Sequence, residues 1–205
     1  MLWPKRKPGY HRTTLRGETV LVGDPKLVTA LLKSTFENCD ITFVCLARGL
    51  IINGCLFRNC VLRAKKEQAN HQFFTSTFEG CKFIGDYSGC EFGFRIDLHG
   101  KKKGTIANCD FREARLDIVT FNNCDLSTIT LPRWPHFTIP DPAKTAALIP
   151  NPRGCKEIDG LKKLAAGMAP ITRGLTWDVS SLASESLYSE NELRQLLSPV
   201  SGIIL

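Results

Sequence analysis

The chain has 205 residues, 43% of them hydrophobic and 23% charged, which is enough to bury a core and argues against general disorder. The net charge is +7, and residues 1–33 carry seven Lys or Arg against two acidic residues, so most of the surplus positive charge lies near the N-terminus. No apolar run approaches the ~20 residues of a membrane span, and the first residues lack the apolar segment of a secretory signal. We therefore expect a cytoplasmic protein without a membrane span. Secretion by a route that needs no cleaved signal stays open.

Residues 1–33 are predicted to form a basic N-terminal arm followed by capping elements. Residues 18–22 have the composition of a short strand. Asp24 is a candidate helix N-cap, and Pro25 suits the first position of a helix. The apolar spacing that follows predicts a capping helix over 24–32.

A four-residue sequence pattern recurs along the next part of the chain. Residues 36–39 are Phe-Glu-Asn-Cys, residues 57–60 are Phe-Arg-Asn-Cys and residues 78–81 are Phe-Glu-Gly-Cys, so Phe-x-x-Cys recurs every 21 residues. Residues 104–131 divide into steps of five, with a compact residue at the first place and a large apolar residue at the third. A period of five fits neither an α-helix nor a flat strand. It is explained if each step is one side of a square coil of about 20 residues, with coils stacked ~4.8 Å apart.

In such a coil the large residue points inward and the compact residue fills a corner. The same register assigns Leu46 and Ile51 to the interior. The main inward set is Phe36, Ile41, Phe57, Leu62, Phe78, Phe83, Ile106, Phe111, Leu116, Phe121 and Leu126. The corner set contains seven of the nine cysteines: Cys39, Cys55, Cys60, Cys81, Cys90, Cys109 and Cys124.

The units CDITF, CDFRE, ARLDI and CDLST resemble the repeat of the pentapeptide-repeat family, written A-(D/N)-L-x-x. The similarity covers residues 34–131, roughly half of the chain. The family folds as a right-handed quadrilateral β-helix. The resemblance therefore implies a mainly β protein with about four to five coils, capped by the N-terminal helix and followed by an irregular, partly helical C-terminal extension.

Two segments interrupt the repeat. Residues 64–75 cannot supply ordinary inward positions, but the spacing from Phe57 to Phe78 is unchanged, which favours a distorted coil side over an extruded loop. The interval from Phe78 to Ile106 exceeds one coil by about seven residues. We expect this surplus to form a projecting loop at residues 99–104.

Cysteine and histidine are the residues to consider for catalysis or metal binding. Packing explains the corner cysteines, and a reducing compartment favours free thiols. Cys45 and Cys155 lie outside the corner register and are predicted to be the more accessible thiols. The four histidines fall in four different settings, and no motif groups metal ligands or pairs a nucleophile with a base. We expect no enzyme activity, no metal site and no cofactor.

Residues 132–205 are predicted to form a Pro-rich exit segment and a helical extension. Six of the eleven prolines lie in residues 132–152, whereas residues 159–166 and 190–197 have helical spacing. Three roles stay open for this extension: closing the end of the coils, forming a homodimer, or contacting a partner.

These features favour a non-enzymatic protein-interaction scaffold, of the adaptor, immunity or effector type, with a protein partner that the sequence does not name. Some members of the family protect type II topoisomerases such as gyrase from quinolones or toxins by resembling DNA. This is the first alternative, although residues 34–131 carry 12 basic and 11 acidic residues. Nucleic-acid binding by the N-terminal arm is the second. The candidate binding residues are Lys5, Arg6, Lys7, Lys101, Lys102 and Lys103.

Overall fold

A computed structural model describes residues 5–7, 9–24, 26–96 and 102–205 of the chain. From Lys5 to residue 131 the backbone winds into stacked coils, and the residues that follow form a layer of strands and helices against the last coil. The prediction of a mainly β fold built on a quadrilateral β-helix is confirmed. The coils start earlier than residue 34, however, because the N-terminal strands belong to them.

The coil strands are short and follow one another around the coil. In chain order they are β1 (Lys5–Lys7), β2 (Gly9–His11), β3 (Thr14–Arg16), β4 (Thr19–Val22), β5 (Thr29–Leu32), β6 (Thr35–Glu37), β7 (Asp40–Phe43), β8 (Leu50–Asn53), β9 (Leu56–Arg58), β10 (Val61–Ala69), β11 (Thr77–Glu79), β12 (Lys82–Ser88), β13 (Glu91–Gly93), β14 (Arg95–Ile96), β15 (Lys102–Lys103), β16 (Thr105–Ala107), β17 (Asp110–Asp117) and β18 (Val119–Asn122). Short 3-10 turns lie at Ala47–Gly49, Phe73–Thr75 and Leu126–Thr128.

The C-terminal layer contains two strands and four helices. They are β19 (His136–Pro140), α1 (Pro142–Thr145), α2 (Lys156–Ala166), β20 (Thr172–Asp178), α3 (Val179–Glu185) and α4 (Glu190–Leu197), with a further 3-10 turn at Ala146–Leu148.

Each coil has four sides, which we number in chain order. The first side is the sheet β1-β4-β7-β10-β12-β17, and the fourth side is the sheet β3-β6-β9-β11-β16. The third side consists of the sheet β2-β5-β8, the turn at Phe73–Thr75, and then β13 and β18. The second side is irregular at residues 44–49. It becomes regular where β10, β12 and β17 continue past the corner, which pairs Gln68 with Tyr87 and Tyr87 with Leu116.

The 21-residue interval is the circumference of one coil. On the fourth side Phe36 pairs with Phe57, and Phe57 with Phe78, in parallel register. The three rings are buried and stack with centroids 5.0 and 4.9 Å apart. Similar inward columns fill the coils from Tyr10 to Ile129 as one continuous hydrophobic cluster, so the sequence period is a packing period.

The corner that leads into the first side requires a left-handed backbone. Asn38, Asn59, Gly80 and Asn108 occupy it in successive coils with φ of 54°, 51°, 63° and 54°. Glycine and asparagine adopt positive φ at lower cost than other residues. Each of the four is followed by a buried cysteine, so the recurring Asn-Cys or Gly-Cys pair marks one corner of the coil.

The predicted N-terminal capping helix is wrong. Residues 29–32 form β5, which pairs with β2 and β8, so this segment contributes a coil side. Asp24 caps only a local turn, because its Oδ1 accepts hydrogen bonds from the backbone N–H groups of Lys26 and Leu27 at 2.8 and 3.2 Å. The burial of Leu31 in the coil interior favours the strand, and tertiary pairing overrides the local helix signal.

The inward assignment of Leu46 and Ile51 is also wrong. Their side chains are 42% and 48% exposed, and Leu50 and Ile52 fill the interior instead. The 3-10 turn at Ala47–Gly49 moves the register by one residue, and a shift of one residue exchanges the inner and outer faces of a strand.

Residues 64–69 form a coil side rather than an extruded loop. They belong to β10, which runs past the corner and pairs with β12 on either side of a register shift between Ala64 and Gln68. The third side then resumes at the turn Phe73–Thr75, where Phe73 is fully buried. The spacing from Phe57 to Phe78 is preserved because this coil, although irregular, is complete.

The C-terminal layer covers one end of the coils. β20 pairs antiparallel with β18 of the last coil and, on its other edge, with β19. Helices α1, α2, α3 and α4 pack beside this sheet around a second hydrophobic cluster that includes Phe137, Leu161 and Leu193. Helices α2 and α4 confirm the two segments with helical spacing.

Candidate interaction surface

The N-terminal basic run is part of the β-helix. Lys5, Arg6 and Lys7 form β1, which is an outer strand of the first side and pairs with β4. The side chains of these three residues lie outside the described part of the structure. Residues 5–7 are therefore part of a sheet and do not form a free basic arm.

The second basic run belongs to a hairpin on the coil surface. β14 and β15 pair antiparallel, with Arg95 opposite Lys103, and form the stem of the segment predicted to project. Lys103 is exposed. His99, Lys101 and the side chain of Lys102 lie outside the described residues.

The residues assigned to the core and corners lie mainly inside the coils. The first ten inward residues of the prediction are buried, whereas Leu126, in the final turn, is only partly buried. Six of the seven corner cysteines are buried as well, and Cys124 is half-buried. These residues shape the scaffold and are not available to a partner.

Four of the corner thiols, those of Cys60, Cys81, Cys90 and Cys109, hydrogen-bond to the backbone of the preceding coil. Cys60 Sγ donates to Phe36 O at 3.3 Å, and Cys81 Sγ donates to Phe57 O at 3.4 Å. Burial raises the pKa of the Cys90 thiol to about 12. All nine cysteines are free.

The prediction that Cys45 and Cys155 are the more accessible thiols is wrong. Both are buried, and Cys124 is the most exposed of the nine. Burial still raises the pKa of Cys124 to about 11. The Cys124 thiol therefore holds little thiolate near neutral pH, which makes it a weak nucleophile.

The fourth side carries a ladder of alternating charge. Arg16, Glu37, Arg58 and Glu79 lie at the same outward position in successive coils. Successive partners in this column have N···O distances of 2.6, 3.1 and 3.1 Å. The guanidinium of Arg16 lowers the pKa of Glu37, and Arg58 contributes in the same direction. Each charge on this surface is compensated within the protein.

From β7 to β17, the described side chains of the first side pair in the same way. Arg63 Nε lies 3.1 Å from Asp40 Oδ1, and Lys82 Nζ lies 2.5 Å from Glu113 Oε1. Over their described side chains, neither side presents a large field of negative charge, which distinguishes them from a surface that imitates the uniform negative charge of DNA.

The third side differs because it is nearly free of charge. Strands β2, β5 and β8 contain no Lys, Arg, Asp or Glu, and the turn at Phe73–Thr75 contains none. Ile51, Asn53 and Gln72 point outward and are exposed. This charge-poor strip, formed by the outward residues of β2, β5, β8 and residues 72–74, is called the third-side strip below.

Two shallow depressions follow the third-side strip toward the C-terminal layer. One, of about 350 Å³, is bordered by Ile51, Asn53 and Gln72. The next, of about 320 Å³, is bordered by Thr120 and by Met168 of the C-terminal layer, among others. The strip thus ends against a polar rim rather than running off the molecule.

The hairpin stem borders the same strip. The Arg95 guanidinium lies over the Phe74 ring at 4.9 Å from its centroid, and Arg95 also pairs with Glu91. These contacts hold the base of the hairpin against the third side. The hairpin and the strip can therefore contact one partner together.

The sequence contained a signal for this surface that the repeat register obscured. Residues 49–57 are free of charge, but Ile51 was assigned to the interior because the register was one residue out of step. Counting charges on each side of the coil after the register is corrected would have revealed the strip.

The described residues contain no group of three or more His, Cys, Asp or Glu arranged to hold a metal ion. His71 is buried beside Phe73, and His136 Nε2 accepts a hydrogen bond from the backbone N–H of Leu116 at 3.1 Å. Both imidazoles are thus engaged in packing or backbone contacts. Among the residues that the structure covers, no helix has the length and apolarity needed to cross a membrane.

Comparison with known proteins gives matches only among solved structures. No family model and no curated protein matches the chain. Trypsin-treated QnrB1, described as a plasmid-mediated fluoroquinolone resistance protein, aligns over 60% of this chain and 78% of its own at 11% identity with a TM-score of 0.33. Full-length QnrB1 aligns over 60% and 81% at 15% identity with a TM-score of 0.18.

The assignment of the fold rests on the chain itself. Five-residue steps, inward columns 21 residues apart and parallel pairing on the sides of each coil are all present together. The chain therefore folds as a quadrilateral β-helix built of five-residue steps and closed at one end by a layer of strands and helices.

Proposed function

We propose that the protein is a non-enzymatic interaction scaffold that binds a protein partner through the third-side strip and the hairpin beside it. The observation that supports this proposal is the unequal distribution of charge around the coil. The described side chains of the fourth side, and of the first side from β7 to β17, pair their charges internally, whereas β2, β5 and β8 contain no Lys, Arg, Asp or Glu and expose Ile51.

The rigidity of the coils suits this role. A partner that meets a flat sheet with a continuous core behind it immobilises few additional side chains of the scaffold, which keeps the entropic cost of binding low. An uncharged surface with a polar border is also typical of the centre of a protein interface, where charged residues are depleted.

Affinity capture from the native host tests the proposal. Ile51→Lys/Gln72→Lys adds two charges to the strip, and Thr35→Lys/Thr77→Lys adds two to the outward face of the fourth side as a matched control. We expect the wild type and the control to retain the same partner and the strip variant to lose it. Equal retention by all three proteins contradicts the proposal.

A gyrase supercoiling assay with and without a quinolone separates this function from topoisomerase protection. We expect no protection, because the paired charges of the first and fourth sides do not resemble a polyanion. Protection that survives in the strip variant would favour the other function.

A further inference from the structure

A pocket of about 330 Å³ lies on the second side. Val44, Cys45 and Leu46 form its apolar wall, and Arg48 and Lys66 lie at its border. Its volume falls at the lower end of the range for binding pockets, roughly 300 Å³ and above. The pocket exists because the second side is irregular at residues 44–49, so neighbouring coils do not pack closely against each other there.

The floor of the pocket is fixed by close packing. Gly23 has a φ of 122°, and a Cβ at that position would lie 2.6 Å from Cys45 Sγ. Cys45 O also accepts a hydrogen bond from Gln68 Nε2 at 2.9 Å. Since Gly23 of one neighbouring coil and the Gln68 side chain of the other hold Cys45 in place, the wall has little room to relax inward.

The two cations at the border differ from most arginines of the coils. Arg16, Arg58 and Arg63 each pair with a carboxylate. Arg48 and Lys66 are exposed and have no ion-pair partner among the described residues. The carboxylate of Asp24 accepts backbone hydrogen bonds from its own turn. Asp24 also lines the pocket, so two cations and one carboxylate leave a net positive charge beside the apolar wall.

Exposed aliphatic side chains lie in or close in sequence to the pocket lining. Leu46, in the wall, is 42% exposed, and Leu27 and Val28, which follow Asp24 in the chain, are 63% and 57% exposed. A flat lipid surface would rest on the rim of the pocket, whereas a polypeptide can insert a side chain into it. The arrangement therefore favours a protein segment.

We infer that this pocket binds an apolar side chain of an acidic segment of a partner protein, with carboxylates on either side of that residue pairing with Arg48 and Lys66. The inference rests on the proposed scaffold function and adds the chemistry of the partner. Apolar burial supplies the anchor, and charge complementarity selects acidic over basic segments.

The test uses the full chain and a fluorescein-labelled decapeptide with Leu-Phe at its centre and Asp and Glu on both sides. We expect saturable binding in fluorescence anisotropy. Replacing Leu-Phe by Ser-Ser, or the acids by Lys, should weaken it by roughly tenfold or more. Spectra of ¹⁵N-labelled protein with millimolar peptide should shift at residues 44–49 and 66.

The protein variants localise the site. Arg48→Glu/Lys66→Glu should weaken peptide binding by roughly tenfold or more. Lys65→Glu/Lys156→Glu changes the net charge equally at exposed positions outside the pocket and should have little effect. Circular dichroism and thermal unfolding verify that both variants fold. The third-side variant Ile51→Lys/Gln72→Lys should still bind the peptide.

Three results would overturn the inference: no spectral shift around the pocket at millimolar peptide, equal weakening in the two charge variants, or binding of anionic lipid vesicles in place of the peptide. None of them bears on the capture experiment with the third-side variant. Failure of the pocket and failure of the scaffold function are therefore distinguishable.

Discussion

Phe36 and Phe57 are 21 residues apart in the chain and stack face to face, with ring centroids 5.0 Å apart and planes inclined by 5°. Phe78 extends the stack at 4.9 Å. The column connects three coils through side chains, while parallel backbone pairing connects them along the fourth side. One ring in the middle therefore contributes to two interfaces between coils.

Truncation of the middle ring should be costly. Phe57→Ala removes a fully buried ring from both interfaces, and we expect a loss of about 3–5 kcal/mol in the free energy of unfolding. Phe57→Leu, which retains most of the volume, should cost less. Denaturant unfolding monitored by circular dichroism measures both. A cost for Phe57→Ala below about 1 kcal/mol would contradict the assignment of this column to the core.

Reversing the charge of one residue in the fourth-side ladder should lower the stability of the protein. Arg58→Glu places three acidic residues in a row with Glu37 and Glu79, so we expect a lower midpoint of thermal unfolding at low salt. The difference from wild type should shrink at high salt, because exposed charges are screened. Thr77→Glu, on the same side but outside the ladder column, is the control. A deficit that does not change with salt would indicate a packing effect instead.

His71 should make stability depend on pH. Burial lowers the pKa of this imidazole from 6.5 to about 4. In the unfolded chain it takes up a proton first as the pH falls, so its contribution to stability is intact above about pH 6.5 and is lost progressively down to about pH 4. The loss is on the order of 3 kcal/mol. The free energy of unfolding, measured across this range for wild type and His71→Phe, should fall more steeply for wild type, and parallel curves would refute the assignment.

Cysteine reactivity should report the integrity of the coils. Cys124 is half-buried, and the other eight cysteines are buried. With Ellman's reagent at mildly alkaline pH we expect one slow reaction in the native protein and nine thiols after denaturation. Cys124→Ser should remove the native reaction. Rapid reaction of several thiols in the folded protein would contradict the corner packing.

The repeat made much of the coil interior predictable. Phe57 and Phe78 on the fourth side, and Leu62 and Phe83 on the first, occupy nearly equivalent surroundings one coil apart, so the sequence repeats the same packing requirement. Helices α2 and α4 were also predictable, because their apolar faces follow the helical period.

Other features depend on contacts between residues that are far apart in the chain, and no local sequence pattern indicates such contacts. Asp24 and Pro25 form a typical helix start, but the pairing of β5 with β2 and β8 places the following residues in a sheet. Ile51 was assigned inward because a single 3-10 turn shifts the register. The third-side strip and the second-side pocket both follow from such irregularities, so the candidate binding surfaces were the least predictable part of the molecule.

The antiparallel pairing of β20 with β18 limits how this protein can vary in length. A further coil could extend the third side only with a parallel strand on β18, and that edge is already occupied along residues 119–122 by a strand of opposite direction. Elongation by addition at this end is therefore blocked. Insertion or loss of a complete turn of about 20 residues within residues 34–96 would keep every column aligned and leave the closing layer untouched. Length variants of this architecture should differ by whole turns of the chain.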